Sequence, residues 1–266
     1  MSGLQTRGLK VGYGDRAVID GLDLDVLEGE LTVIVGPNAC GKSTLLRALA
    51  RLLPTREGSV LLDGRSIRDL PTKEVARRIG LLPQSSIAPD GITVADLVGR
   101  GRYPHQGVLS TWSVEDEAAV TQAMAATDVV DLADRHVDEL SGGQRQRVWI
   151  ALVLAQETPV VLLDEPTTYL DIGHQLEVLE LVSRLRAEGR TVVAVLHEIN
   201  HAARFATHLI AMRDGSIVAQ GRPRDIVDAE LIEVVFGVSA RVIPDPDTGC
   251  PVVLPRRALP RTALPS

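Results

Sequence analysis

The sequence is poor in cysteine, lysine and long apolar runs, and each shortage narrows what the protein can be. Two cysteines, Cys40 and Cys250, among 266 residues cannot build the multi-bridge framework of a small secreted domain, and a reducing compartment is the simpler expectation. The longest apolar stretches, such as Val160 to Leu163 and Val192 to Leu196, have the length of a buried strand and are far too short to span a bilayer. Met1 to Lys10 has no apolar run behind a basic segment, so no signal peptide is expected there. A net charge of −7, from 28 basic against 35 acidic residues, argues against coating a phosphate backbone, and no nucleic-acid partner is expected. Any membrane role must then run through a partner. What is present, 45% hydrophobic and 24% charged residues, is an ordinary globular composition, long enough for one large α/β domain or a domain with a subdomain inserted.

From Leu31 onward, short β-branched runs alternate with helix-period segments, the pattern of a sheet with crossover helices. Leu31 to Val35 predicts a buried strand, Lys42 to Arg51 the helix after it, Gly58 to Leu62 a strand stopped at Asp63-Gly64, and Ile79 to Leu82 another. Between about Ile92 and Gln156 the β signals vanish. Val94 to Gly99, Val114 to Thr127 and Gly142 to Leu154 have helical periodicity, and Ser113 with Asp116 is spaced as a helix N-terminus. A helical insertion is therefore expected. Strands resume at Val160 to Leu163, Thr191 to Leu196 and Leu209 to Met212, with a helix from His174 to Arg186, and Asp214-Gly215 turns the chain into Ser216 to Gln220. Prolines crowd the end from Pro244, predicting a small hairpin within Val242 to Leu254 and a loose basic tail, Arg256 to Ser266.

Gly36-Pro37-Asn38-Ala39-Cys40-Gly41-Lys42-Ser43 matches G-x-x-x-x-G-K-[ST] and lies between a predicted strand and a predicted helix, the context that the motif requires. Its glycines let successive N–H groups turn inward onto phosphate oxygens, and the helix start adds a positive dipole end. Lys42 is one of only three lysines, so its position is informative: it brings a full charge to β and γ phosphates, and the Ser43 hydroxyl can ligate Mg²⁺. Val160 to Glu165 is a buried strand ending in two carboxylates. By itself that pair could be a helix cap, but beside a phosphate loop Asp164 would hold Mg²⁺ and Glu165 would polarise the attacking water.

Leu140-Ser141-Gly142-Gly143-Gln144 precedes a helical segment and makes a second anion-binding helix start. With this element the chain resembles the ATP-binding cassette (ABC) ATPase family, whose signature is this sequence. The resemblance implies a P-loop NTPase (RecA-like) α/β core with an N-terminal antiparallel β subdomain and an inserted α-helical subdomain. It implies an ATP-binding domain over 1–243, holding the helical part at about 90–157, followed by the hairpin and tail at 244–266. It also implies a head-to-tail homodimer in which Ser141, Gly142, Gly143 and Gln144 of one subunit close over ATP on the loop, Gly36 to Ser43 with Thr44, of the other. By the same resemblance Tyr13 stacks on adenine, Gln84 senses Mg²⁺ and the attacking water, Asp171 couples the two sites, and His197 contacts the γ phosphate while Glu165 acts as base. Ser43, Gln84 and Asp164 would then serve the metal. Glu198 stands where aspartate is commoner after the switch histidine, and Cys40 within the loop reads as a small buried residue or as a thiol open to oxidation.

His197-Glu198-Ile199-Asn200-His201 also spells H-E-x-x-H, the zinc-hydrolase pattern. Here the first histidine follows a predicted strand, and no well-placed third ligand lies downstream. A single cassette without membrane spans resembles the importer arrangement, two ATPase copies at the cytoplasmic face of the membrane beneath two permease subunits, with a separate substrate-binding protein and no cargo contact by the ATPase. Within it, Val98 to His105, His197 to Phe205 and His208 to Gly215 are most similar to the ATPases of ferric siderophore importers, which share their architecture with vitamin B12 and haem importers. Arg100 to His105 reads either as the face that receives the permease or as a solvated basic loop.

Overall fold

A computed structural model describes residues 3–107 and 112–256. The chain opens with strands β1 (Leu4–Tyr13) and β2 (Arg16–Asp25), enters the core on β3 (Leu31–Val35) and helix α1 (Lys42–Leu49), and returns to the first sheet through β4 (Glu57–Leu62) and β5 (Arg65–Ser66). Then come α2 (Thr72–Ala76), β6 (Ile79–Leu82) and the helical stretch α3 (Val94–Gly99), α4 (Val114–Ala126) and α5 (Gly142–Ala155). The core resumes with β7 (Val160–Asp164), α6 (Ile172–Ala187), β8 (Thr191–Val195), α7 (Ile199–Phe205), β9 (His208–Arg213) and β10 (Ser216–Gly221). Two helices, α8 (Pro223–Ile226) and α9 (Ala229–Phe236), lead to a hairpin of β11 (Ala240–Pro244) and β12 (Pro251–Pro255). The predicted tail beyond Arg256 lies outside the described residues.

Among the described residues the strands form three sheets: an antiparallel one in the order β2-β1-β4-β5, a six-stranded one in the order β10-β9-β3-β8-β7-β6, and the terminal hairpin. In the central sheet β6, β7, β8, β3 and β9 run parallel, and β10 closes the edge antiparallel. Parallel strands are covered on both faces, so β3, β7 and β8 are buried throughout. Their period of two divides the core. Leu31, Val33, Val35, Val161, Leu163, Val192 and Ala194 face the helical side with α5 and α6. Ile34, Leu162, Val193 and Val195 face α1 and the antiparallel sheet.

The helical stretch is held by local chemistry. Ser113 and Asp116 form the reciprocal cap expected at the start of α4, with Asp116 N bonding Ser113 Oγ at 3.1 Å and Ser113 N bonding Asp116 Oδ2 at 3.2 Å. Within Arg100 to His105, the stretch that reads as a permease-receiving face or a solvated basic loop, Arg102 is buried at 4% exposure. Its Nε donates to Asp116 Oδ1 at 2.8 Å, and its Nη1 to Ala155 O at 2.8 Å and Glu157 Oε2 at 2.6 Å. A charge can sit that deep because it is paired with a carboxylate and hydrogen-bonded through both Nε and Nη1.

Candidate nucleotide site

Because β3, β6, β7 and β8 are parallel and adjacent, the segments leaving their carboxyl ends emerge along one edge of the sheet, where open α/β sheets bind ligands. Four candidate segments are gathered this way: the 36–43 loop after β3, Gln84 after β6, Asp164 and Glu165 at the end of β7, and His197 after β8. A cavity of about 840 Å³ opens there, lined by Tyr13, Asn38, Ala39, Gly41, Lys42, Ser43, Thr44, Gln84, Glu165 and His197. That volume lies in the range of small-molecule sites.

The 36–43 loop is shaped by close contact as well as by turn geometry. Gly36 has φ 154°, and a Cβ built on it would lie 2.2 Å from Met212 O and 2.9 Å from Cys40 Sγ, so no side chain fits. Lys42 is buried and donates through Nζ to Gly36 O at 2.8 Å and Pro37 O at 2.9 Å, which bends the loop around its own ammonium group. Cys40 is buried, and desolvation pushes its thiol above the ordinary range, so the structure favours the small buried residue over a reactive thiol. Tyr13 closes β1 with its ring about half exposed, and its hydroxyl accepts from Arg47 Nη1 at 3.3 Å.

The two carboxylates at the end of β7 have different surroundings. Asp164 is 2% exposed and accepts from Ser43 Oγ at 2.8 Å. Burial pushes its pKa up, against the opposing hydrogen bond from Ser43. Glu165 is gripped from three sides: Gln84 Nε2 donates to Oε2 at 2.7 Å, Thr168 Oγ1 donates to the same oxygen at 3.2 Å, and His197 Nε2 lies 2.7 Å from Oε1. The backbone of Glu165 has φ 56°, a left-handed conformation that is costly for a side chain with a Cβ. Thr168 was not foreseen from sequence. The signal available was its place three residues after Glu165, where the Thr168 N–H closes a turn onto Glu165 O.

Gly36, Pro37, Cys40 and Asp164 belong to the gathered segments without lining the cavity themselves, and other candidates lie apart. Ser141, Gly142, Gly143 and Gln144 start α5 outside it, with Gln144 N bonding Ser141 Oγ at 3.3 Å and Ser141 N bonding Gln144 Oε1 at 3.1 Å. Asp171 caps α6, also outside the cavity. The zinc-hydrolase pattern is not realised, since His197 precedes α7 while His201 lies within it. Among the described residues no group of three or more His, Cys, Asp or Glu side chains is placed to hold a metal ion.

The ABC transporter family model matches residues 19–168. The ferric enterobactin transport ATP-binding protein FepC of Escherichia coli (strain K12) is 56% identical over 262 residues, covering 98% of this chain and 97% of FepC. A metal-chelate type ABC transporter solved in an inward-facing conformation superposes with TM-score 0.83 at 27% identity, over 96% of this chain and 98% of that one. A bacterial ABC transporter cassette solved as a dimer superposes with TM-score 0.73 at 29% identity, over 82% and 98%.

Proposed function

The chain belongs to the ABC transporter family, and from that premise we propose that it is the ATP-hydrolysing subunit of a ferric siderophore importer, working as a head-to-tail dimer beneath two membrane permease subunits. The observation that carries the catalytic part is the Glu165 carboxylate, gripped by Gln84, Thr168 and His197 in the lining of a cavity that Lys42 also lines. A base held at three points is pre-positioned for one water molecule and spends no binding energy on being oriented. Glu165 takes the proton from that water, while Lys42 and the loop N–H groups bind the β and γ phosphates. His197 keeps the Glu165 carboxylate in place and, as a residue that also lines the cavity, would contact the γ phosphate. Tyr13 offers an exposed ring for the base.

The oxygens of Ser43, Asp164 and Gln84 suit a hard divalent cation. Gln84 donates through Nε2 and so keeps Oε1 free, and the buried Asp164 has a raised pKa that a cation would reverse. Mg²⁺ bound there would neutralise phosphate charge. The Ser141–Gln144 helix start and Asp171 lie outside the cavity, in keeping with a role toward the nucleotide of a second copy.

Membrane coupling is supported by a groove of about 600 Å³ lined by Gly99, Arg100, Tyr103, Gln106 and Trp112, with both aromatic rings about half exposed. No helix among the described residues is long and apolar enough to cross a membrane, so the permease would supply the spans, with this subunit peripheral at the cytoplasmic face and a separate binding protein delivering cargo. The siderophore assignment rests on the 56% identity to the ferric enterobactin ATPase over nearly the whole chain.

The test is uptake in source cells whose only copy carries Glu165→Gln, with vitamin B12 and haem as parallel cargoes. Selective loss of ferric siderophore uptake, with ATP binding by the purified variant retained, is expected. Loss of B12 or haem uptake alone would overturn the cargo, and normal uptake of all three would overturn the transport role.

A further inference from the structure

The two segments that the proposed dimer turns toward its partner's nucleotide touch each other through a residue that no motif singles out. His174 sits in the first turn of α6, three residues after Asp171. Its backbone N–H donates to Asp171 Oδ1 at 2.9 Å, and its ring Nδ1 lies 2.8 Å from the same oxygen. These two bonds, backbone first, hold the Asp171 carboxyl below the ordinary carboxylate range. The rest of the ring is pressed against Gly143. A Cβ built on Gly143 would lie 2.5 Å from His174 Cδ2, 2.9 Å from Cγ and 3.0 Å from Nε2.

Gly143 lies inside the first turn of α5, with no positive φ to require glycine there. Glycine in a helix costs about 1 kcal/mol relative to alanine, so the close approach of the imidazole is a physical reason for having it. One side chain thus bonds Asp171 at one end and fills the space of a missing methyl group at the other.

We propose that His174 is a positioning residue that locks the Ser141–Gln144 helix start to Asp171, so that both close on the partner's nucleotide as one unit. This rests on the shared-site reading above, and the test separates the two. In a Glu165→Gln background, ATP-driven dimerisation is followed by sedimentation velocity. If that background stays monomeric with ATP, the shared site itself fails. If it dimerises, His174→Ala on the same background should weaken dimerisation by about three- to fivefold, the upper end of what a solvent-exposed charged pair is worth, while the monomer's ATP affinity is unchanged.

His174→Asn keeps a donor within reach of Asp171 and should recover part of the loss. It also carries the test if the alanine variant no longer binds nucleotide. Gly143→Ala should expel the ring, so adding His174→Ala to it should cost little more than Gly143→Ala alone. Dimerisation of His174→Ala within twofold of the background, an asparagine variant no better than alanine, or fully additive losses at 143 and 174 would each overturn the lock.

Discussion

Replacing Arg102 by methionine would test whether the helical subdomain hangs on a buried ion cluster. Methionine restores most of the volume but none of the three hydrogen bonds, to Asp116, Glu157 and the Ala155 carbonyl. The Glu157 side chain is 49% exposed, so its share is screened and counts for little. Asp116 is 5% exposed and would be left as a buried carboxylate with only its cap to Ser113. Breaking a buried pair on one side typically costs about 3–5 kcal/mol, against a total stability of about 5–15 kcal/mol for a domain. The expected loss is therefore about 3 kcal/mol or more. Both tryptophans of the chain, Trp112 and Trp149, belong to the helical stretch, so intrinsic fluorescence during urea unfolding reports on this region selectively.

The pH dependence adds a second reading. The Arg102 hydrogen bond holds the Asp116 carboxyl below its ordinary value. The bridge therefore contributes fully above the unfolded carboxyl pKa of about 4, and its contribution is lost as the pH falls through the folded value. In the variant, Asp116 protonates more easily and the penalty shrinks in acid. Arg102→Met/Asp116→Leu, which removes both charges, should recover most of the stability at pH 7. A loss below about 1 kcal/mol at neutral pH, or a deficit that does not change down to about pH 3.5, would refute the argument.

Three further expectations follow from the site and its supports. Asp164→Asn should raise the melting temperature of the nucleotide-free protein at pH 7: a carboxylate whose folded pKa is raised subtracts from stability above that value, and the amide keeps an acceptor for Ser43. The same variant should lose hydrolysis, and a lowered melting temperature would contradict the reasoning. Gly36→Ala should abolish ATP binding and destabilise by more than about 1 kcal/mol, because the methyl meets Met212 O at 2.2 Å; titration with a fluorescent nucleotide and urea unfolding would check it. Asn200 bonds the Val253 backbone twice, Nδ2 to O at 3.2 Å and Oδ1 from N at 2.7 Å, so Asn200→Ala should cost about 1–2 kcal/mol and speed amide exchange at Val253 in β12, an effect that hydrogen–deuterium exchange would resolve.

Much of this protein is legible in the chain because its signals are local. The 36–43 loop, the Asp164-Glu165 pair and the Ser141–Gln144 helix start are contiguous words whose spacing defines their geometry, and the parallel strands β3, β7 and β8 are continuous apolar runs because both their faces are buried. Of the antiparallel sheet only β4 is legible as a strand in the chain itself; β1 and β2 come only through family resemblance. In β1 the register shifts between Thr6 and Leu9 and again before Val11, so the buried positions Leu4, Thr6, Leu9 and Val11 break the alternation that marks a strand. Helices α2 and α8, at five and four residues, are too short for periodicity to declare them.

What only the tertiary structure decided is which groups meet across long stretches of chain. Arg102 reads as one of several basic residues in a loop, and nothing local says that it ends up beside Asp116 and Ala155 at 4% exposure. Gln84 has no word around it, and the word around His197 spells a zinc pattern that is not realised; both reach Glu165 because β6, β7 and β8 lie side by side and parallel, and strand order is a property of the folded sheet. The contact of His174 with Gly143 and the two hydrogen bonds between Asn200 and the Val253 backbone arise the same way. Short-range spacing fixes chemistry along a segment, whereas packing of distant segments chooses the partners that hold that chemistry in place.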